Sequence, residues 1–174
     1  MKNIILLIAI GLMPLFSTAQ NPNVKAFYDK YMGHENVTNV SLQGWVLQMA
    51  ANFTDDEDGE QLLQKITKLR VMVMEEKNLV SKSDYQSLVK SIKKDRFEKL
   101  MQIRDGAEKI DFFIQEDGDE ISNLLMLING EEEFILVSVE GNLKFSDLKD
   151  LNFDIEGGDL FKKIPKKKKD VPRA

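Results

Sequence analysis

Cysteine is absent from this 174-residue chain. That excludes disulfide staples, thiol chemistry and a lipid anchor on a first mature cysteine. Histidine occurs once, at His34, beside Gly33 and Glu35. A single imidazole with no thiols cannot supply the several nitrogen or sulfur ligands of a zinc site, and no nucleophile-elbow glycine pattern surrounds any serine. Glycine-rich phosphate loops are missing too, which removes the ordinary nucleotide signatures. These absences leave no catalytic residue, cofactor or metal to assign.

Long apolar runs are scarce. The one at the start, Ile4 to Met13, is followed by Pro14 and by Ser17-Thr18-Ala19, with Lys2 ahead of it. Charged n-region, short apolar h-region and small residues before a cut are the pattern of a secretory signal peptide, here residues 1–19. The run is too short to span a bilayer, and no second run approaches that length, so the mature chain has no transmembrane segment. The expected location is periplasmic or secreted, with the chain soluble after removal of the signal. About 155 residues then remain, enough for one domain to bury a core without staples.

Charge is unevenly placed. Residues 159–174 hold seven basic side chains (Lys162, Lys163, Lys166 to Lys169 and Arg173) against Asp159 and Asp170, a balance of +5. The formal total is −5, so after Lys2 is also set aside residues 20–158 carry −11. An acidic body argues against nucleic acid binding. The basic segment is expected to be a disordered tail, able to touch an anionic membrane surface, lipopolysaccharide or an acidic protein patch.

Periodicity predicts an α+β domain over residues 20–158. Val24, Phe27, Tyr28 and Tyr31 recur at helical spacing up to Gly33, and Val37 to Val40 reads as a short strand. Ser41 is the expected N-cap of a second helix to Ala51, with Leu42, Trp45, Val46 and Met49 on its core side and Gly44 interrupting it. Asn52 to Gly59 is an acidic loop, and Glu60 to Ile66 a short helical turn. Leu69, Val71 and Val73 alternate on a strand. Ser83 is expected to cap a helix with the stripe Tyr85, Leu88, Val89 and Ile92.

Beyond that helix the period changes to two. Strands are expected at Phe97 to Arg104, Lys109 to Gln115, Glu120 to Ile128 and Glu133 to Val139, joined at Asp105-Gly106, Asp117-Gly118 and Asn129-Gly130. Ser146 should cap a short helix near Asp147 to Leu151. The expected architecture is an antiparallel sheet with a C-terminal meander and helices packed mainly on one face. Leu124 to Ile128 and Phe134 to Val137 are apolar without alternation, so these strands should be covered on both sides.

Carboxylates face a stricter test. Asp55, Asp56, Glu57, Asp58 and Glu60 cluster, yet aligning Gly59 with the EF-hand glycine puts Thr54 and Lys65 at the ligand positions, and both are wrong. Glu131 to Glu133 fit a solvated hairpin. Asp111 and Glu116 should lie on opposite faces, which separates them as an acid–base pair. Trp45 with Met49 is expected to be core, and a carrier would show a cavity between Trp45, Tyr85 and the sheet.

Four segments together carry a family likeness: Phe27-Tyr28-Asp29-Lys30-Tyr31, Val37-Thr38-Asn39-Val40, Leu69-Arg70-Val71-Met72 and Phe97-Glu98-Lys99-Leu100-Met101 leading into the meander. From Phe27 to about Leu151 the layout resembles the DUF4252 family of exported Bacteroidetes proteins. The function of that family is unknown, so the resemblance brings no site residues. Its genes often neighbour extracytoplasmic-function sigma factors, which implies envelope stress or signalling. Many members are lipoproteins, which this cysteine-free chain does not match. The expected function is that of a non-catalytic envelope protein that binds an envelope protein partner or takes part in envelope signalling. The alternatives are a small-molecule carrier and a carboxylate-dependent periplasmic hydrolase.

Overall fold

The computed structural model describes residues 21–150. The expected signal peptide and basic tail lie outside the described residues. Helix α1 (Pro22–Tyr31) opens with Pro22 at its start and Asn21 as N-cap, whose side chain accepts from the amides of Asn23 and Val24. Strand β1 (Val37–Gln43) runs directly into α2 (Gly44–Ala51), and α3 (Glu57–Lys65) runs directly into β2 (Ile66–Met74). Helix α4 (Lys82–Lys94) precedes the meander of β3 (Glu98–Asp105), β4 (Glu108–Asp117), β5 (Glu120–Asn129) and β6 (Phe134–Leu143). A 3-10 helix at Phe145–Asp150 follows.

All six strands join one antiparallel sheet in the order β1-β2-β6-β5-β4-β3. Alternation sorts their side chains onto two faces. Met72, Met74, Phe113, Leu125, Leu127, Phe134 and Leu136 pack with α1 and α4. Ile110, Phe112, Met126, Ile128, Ile135 and Val137 form the other core, with Leu47 of α2 and Leu62 of α3 against it.

The α+β architecture and the antiparallel meander are therefore as expected, but the helices divide between both faces. The uninterrupted apolar runs of β5 and β6 explain the division, since two apolar faces each require cover. On the first face Tyr28 of α1 is buried and its hydroxyl donates to the carbonyls of Leu136 at 3.0 Å and Arg70 at 3.2 Å. Burial holds its pKa above the ordinary phenol value.

Close backbone approach fixes the second face. A Cβ on Gly44 would lie 2.8 Å from the Ile66 carbonyl oxygen, and one on Gly141 would collide with the Lys65 carbonyl oxygen. The α3–β2 junction is thus clamped between the start of α2 and strand β6, where only glycine fits.

Four local expectations need correction. Ser41 does not cap α2: Ser41, Leu42 and Gln43 extend β1 by pairing with Arg70, Leu69 and Lys68. The cap of α4 is Ser81, whose Oγ accepts from the Asp84 amide at 3.1 Å, whereas Ser83 only pairs with the Ser81 hydroxyl. The acidic loop is shorter than expected, because Asp56 caps α3 by accepting from the Gly59 amide. At the last turn Asp147, not Ser146, ties back to the Lys144 amide.

Candidate functional site: an apolar ridge on α2

Helix α2 has the sequence GWVLQMAA. Gly44, Leu47 and Ala51 are its buried positions. With 3.6 residues per turn, that inner face turns residues 45 and 49 outward. Phe53 extends the same row, because its amide bonds the Ala50 carbonyl and carries the turn past the helix end.

Trp45, Met49 and Phe53 are 66%, 52% and 84% exposed. Spacing of four residues places Trp45 and Met49 side by side on the helix surface, and Phe53 follows four residues on, just past the helix end. The expectation that Trp45 and Met49 belong to the core is overturned: Gly44, Leu47 and Ala51 make the inward face, with Gly44 placed where the helix closely approaches the β2 backbone. Scattered exposed apolar residues are ordinary, whereas contiguous exposed apolar patches are the kind that mark interaction sites.

The ridge has an acidic border. Asp55, Asp56, Glu57, Asp58 and Glu60 follow it, and no Lys or Arg occurs from Gly44 to Gln64. Asp56 is committed to capping α3, and the first turn of that helix carries Glu57, Asp58 and Glu60. These acids face the positive end of the α3 dipole, which favours them there.

A second cluster is buried. Asp111 on β4 is fully enclosed, accepts from the Tyr85 hydroxyl at 2.5 Å, and pairs with Lys109 at 2.5 Å and Lys99 at 2.7 Å. Lys99 also donates to Gln102. Burial alone would raise the Asp111 pKa, but the bonds from Lys109, Lys99 and Tyr85 outweigh it and hold the carboxyl below its ordinary value. Burial and the Asp111 bond push Tyr85 up. With three donors on one carboxylate, the group is an electrostatic pin between α4 and the β3–β4 hairpin.

The other sequence candidates are dispersed. Glu116 is registered opposite Ile121, whose side chain lies in the core away from α4, so Asp111 and Glu116 are on opposite faces as expected. His34 is exposed in the turn after α1, with its ring 6.0 Å from that of Tyr31. Glu131 and Glu132 are exposed in the β5–β6 turn. Trp45 and Tyr85 belong to helices on opposite faces, so the sheet separates them. A depression of about 150 Å³ lined by Asn36, Thr38, Val73, Glu75 and Glu76 is smaller than the ~300 Å³ at which ligand pockets begin.

Phe53 is the ridge member that helix prediction alone misses, because it lies beyond the helix end. The signal for it is the spacing Trp45, Met49, Phe53 ahead of a cation-free acidic stretch. No helix among the described residues is long and apolar enough to cross a membrane. Comparison with curated proteins and with solved structures gives no match. A family model does match, over residues 31–151, well over half of the chain. On that match the chain belongs to the family described as Domain of unknown function (DUF4252).

Proposed function

We propose that this is a non-catalytic protein of the cell envelope that binds a protein partner through the α2 ridge. The observation that carries this reading is the exposed row of Trp45, Met49 and Phe53 beside five carboxylates. Burying each such side chain is worth about 1.5–3 kcal/mol before the costs of association. Aromatic and methionine side chains of this kind act as interface anchors. The acidic border selects the partner's chemistry: an apolar groove rimmed by Lys or Arg. It also disfavours an anionic lipid surface as the target.

Crosslinked affinity capture from native cell envelopes tests this, with the wild-type chain beside Trp45→Glu and Phe53→Glu. One stoichiometric partner retained by the wild type and lost by both variants is the expected result. Equal capture by all three chains overturns the ridge as the binding surface.

A further inference from the structure

We infer that the ridge also receives a segment of its own chain, Leu160 to Lys169, which therefore competes with the partner. This rests on the ridge being a docking surface, as argued above. Leu160 to Lys169 reads LFKKIPKKKK: three apolar residues and six lysines around a proline. Its composition is the counterpart of the stretch from Gly44 to Gln64, which offers three large apolar side chains and five carboxylates with no Lys or Arg among them.

The path of the chain brings the two together. The described residues end in the 3-10 helix, whose Asp147 pairs with Lys65 at 2.9 Å, and Lys65 is the last residue of α3. The chain therefore departs beside the helix that bears the acidic border. The ten residues Leu151 to Leu160 reach roughly 33 Å when extended. Helix α3, of nine residues, is only about 14 Å long. The segment has ample length to pass α3 and lie along α2. Other acidic stretches, such as Glu131 to Glu133 in the β5–β6 turn, have no large exposed apolar row beside them.

Tethering makes the contact an intramolecular one with a high effective concentration, so modest affinity suffices. A partner must then displace the tail, and a partner with a more basic rim does so more readily.

The cysteine-free chain and its single tryptophan make the test direct. In the full chain, Phe53→Cys with Phe161→Cys is expected to form an intrachain disulfide on mild oxidation, while Ser83→Cys on α4 with Phe161→Cys does not. Trp45 fluorescence in the otherwise native chain supplies the second measurement. Acrylamide quenching should be weak, rising several-fold when Lys162, Lys163 and Lys166 to Lys169 are all replaced by glutamate, with the circular dichroism unchanged. Equal trapping of both cysteine pairs, or quenching that is identical in the two chains, overturns the inference. Shielding that disappears on dilution assigns the contact to another copy's tail and also overturns it. Ridge-dependent partner capture that persists beside any of those results leaves the binding surface standing and removes only the tail.

Discussion

The Tyr85 hydroxyl donates to the Asp111 carboxylate at 2.5 Å, joining α4 to β4 through a fully buried anion. Lys99 and Lys109 complete the shell, and both side chains remain partly exposed. Breaking a buried ion pair costs about 3–5 kcal/mol when the partner charge stays enclosed. Here both ammonium groups can turn to water, so Asp111→Ala should cost about 2–4 kcal/mol, chiefly through the stranded Tyr85 hydroxyl and the lost packing. Tyr85→Phe removes one donor of three and should cost about 1–2 kcal/mol. Urea denaturation of the two variants measures both. The Asp111 pKa is lowered on folding, so its contribution is present above the unfolded carboxyl pKa and is lost as the pH falls below it.

Gly44→Ala should destabilise the fold by about 1–3 kcal/mol. Removing glycine from a helix ordinarily gains about 0.4–1 kcal/mol. Here the added Cβ would meet the backbone of Ile66 and Thr67 at 2.8–2.9 Å, and that backbone is held on its other side by β6. Gly33 is the control, since a Cβ there meets nothing within 4 Å. Gly33→Ala should change the urea midpoint little or raise it.

What the sequence reveals and conceals follows from the same contacts. Leu69, Val71 and Val73 alternate visibly because β2 presents two chemically distinct faces, and the meander is marked by its turns. The stripe Leu42, Trp45, Val46 and Met49 misleads because hydropathy identifies large residues, whereas the inward face of α2 is decided by how closely Gly44 approaches Ile66. That approach depends on a strand more than twenty positions away. Asp111 was visible as a charge amid Ile110, Phe112 and Phe113, but its shell was not. Lys99 comes from a strand paired across a bulge and Tyr85 from a helix, and only the fold brings them together.

Acid should weaken the α1–α4 contact through Asp84. Asp84 accepts from Lys30 at 2.7 Å, Tyr31 at 2.7 Å and Ser81 at 2.8 Å, and these bonds, Lys30's first, push its pKa down to about 2 from the ordinary 3.8. A carboxyl with a depressed folded pKa gives stability that is complete above the unfolded value and lost as the pH drops through the folded one. Asp84→Asn should therefore melt at a lower temperature than wild type at neutral pH. The difference should narrow between about pH 4 and pH 2 and vanish below that. A difference that stays constant down to pH 2 would assign the effect to packing instead.

Ridge substitutions should separate binding from folding. Trp45 and Phe53 are mostly exposed and no hydrogen bond among the described residues involves their side chains, so Trp45→Ser and Phe53→Ser should leave stability within about 0.5 kcal/mol. Leu47→Ala, two positions from Trp45 on the buried side of the same helix, should cost about 2–5 kcal/mol. Thermal melts of the three variants give this comparison, and partner capture gives the complementary one. The serine variants should fold normally and lose the partner. If Trp45→Ser instead lowers the melting temperature as much as Leu47→Ala, the tryptophan is supporting the core, and the ridge is a structural face rather than a contact surface.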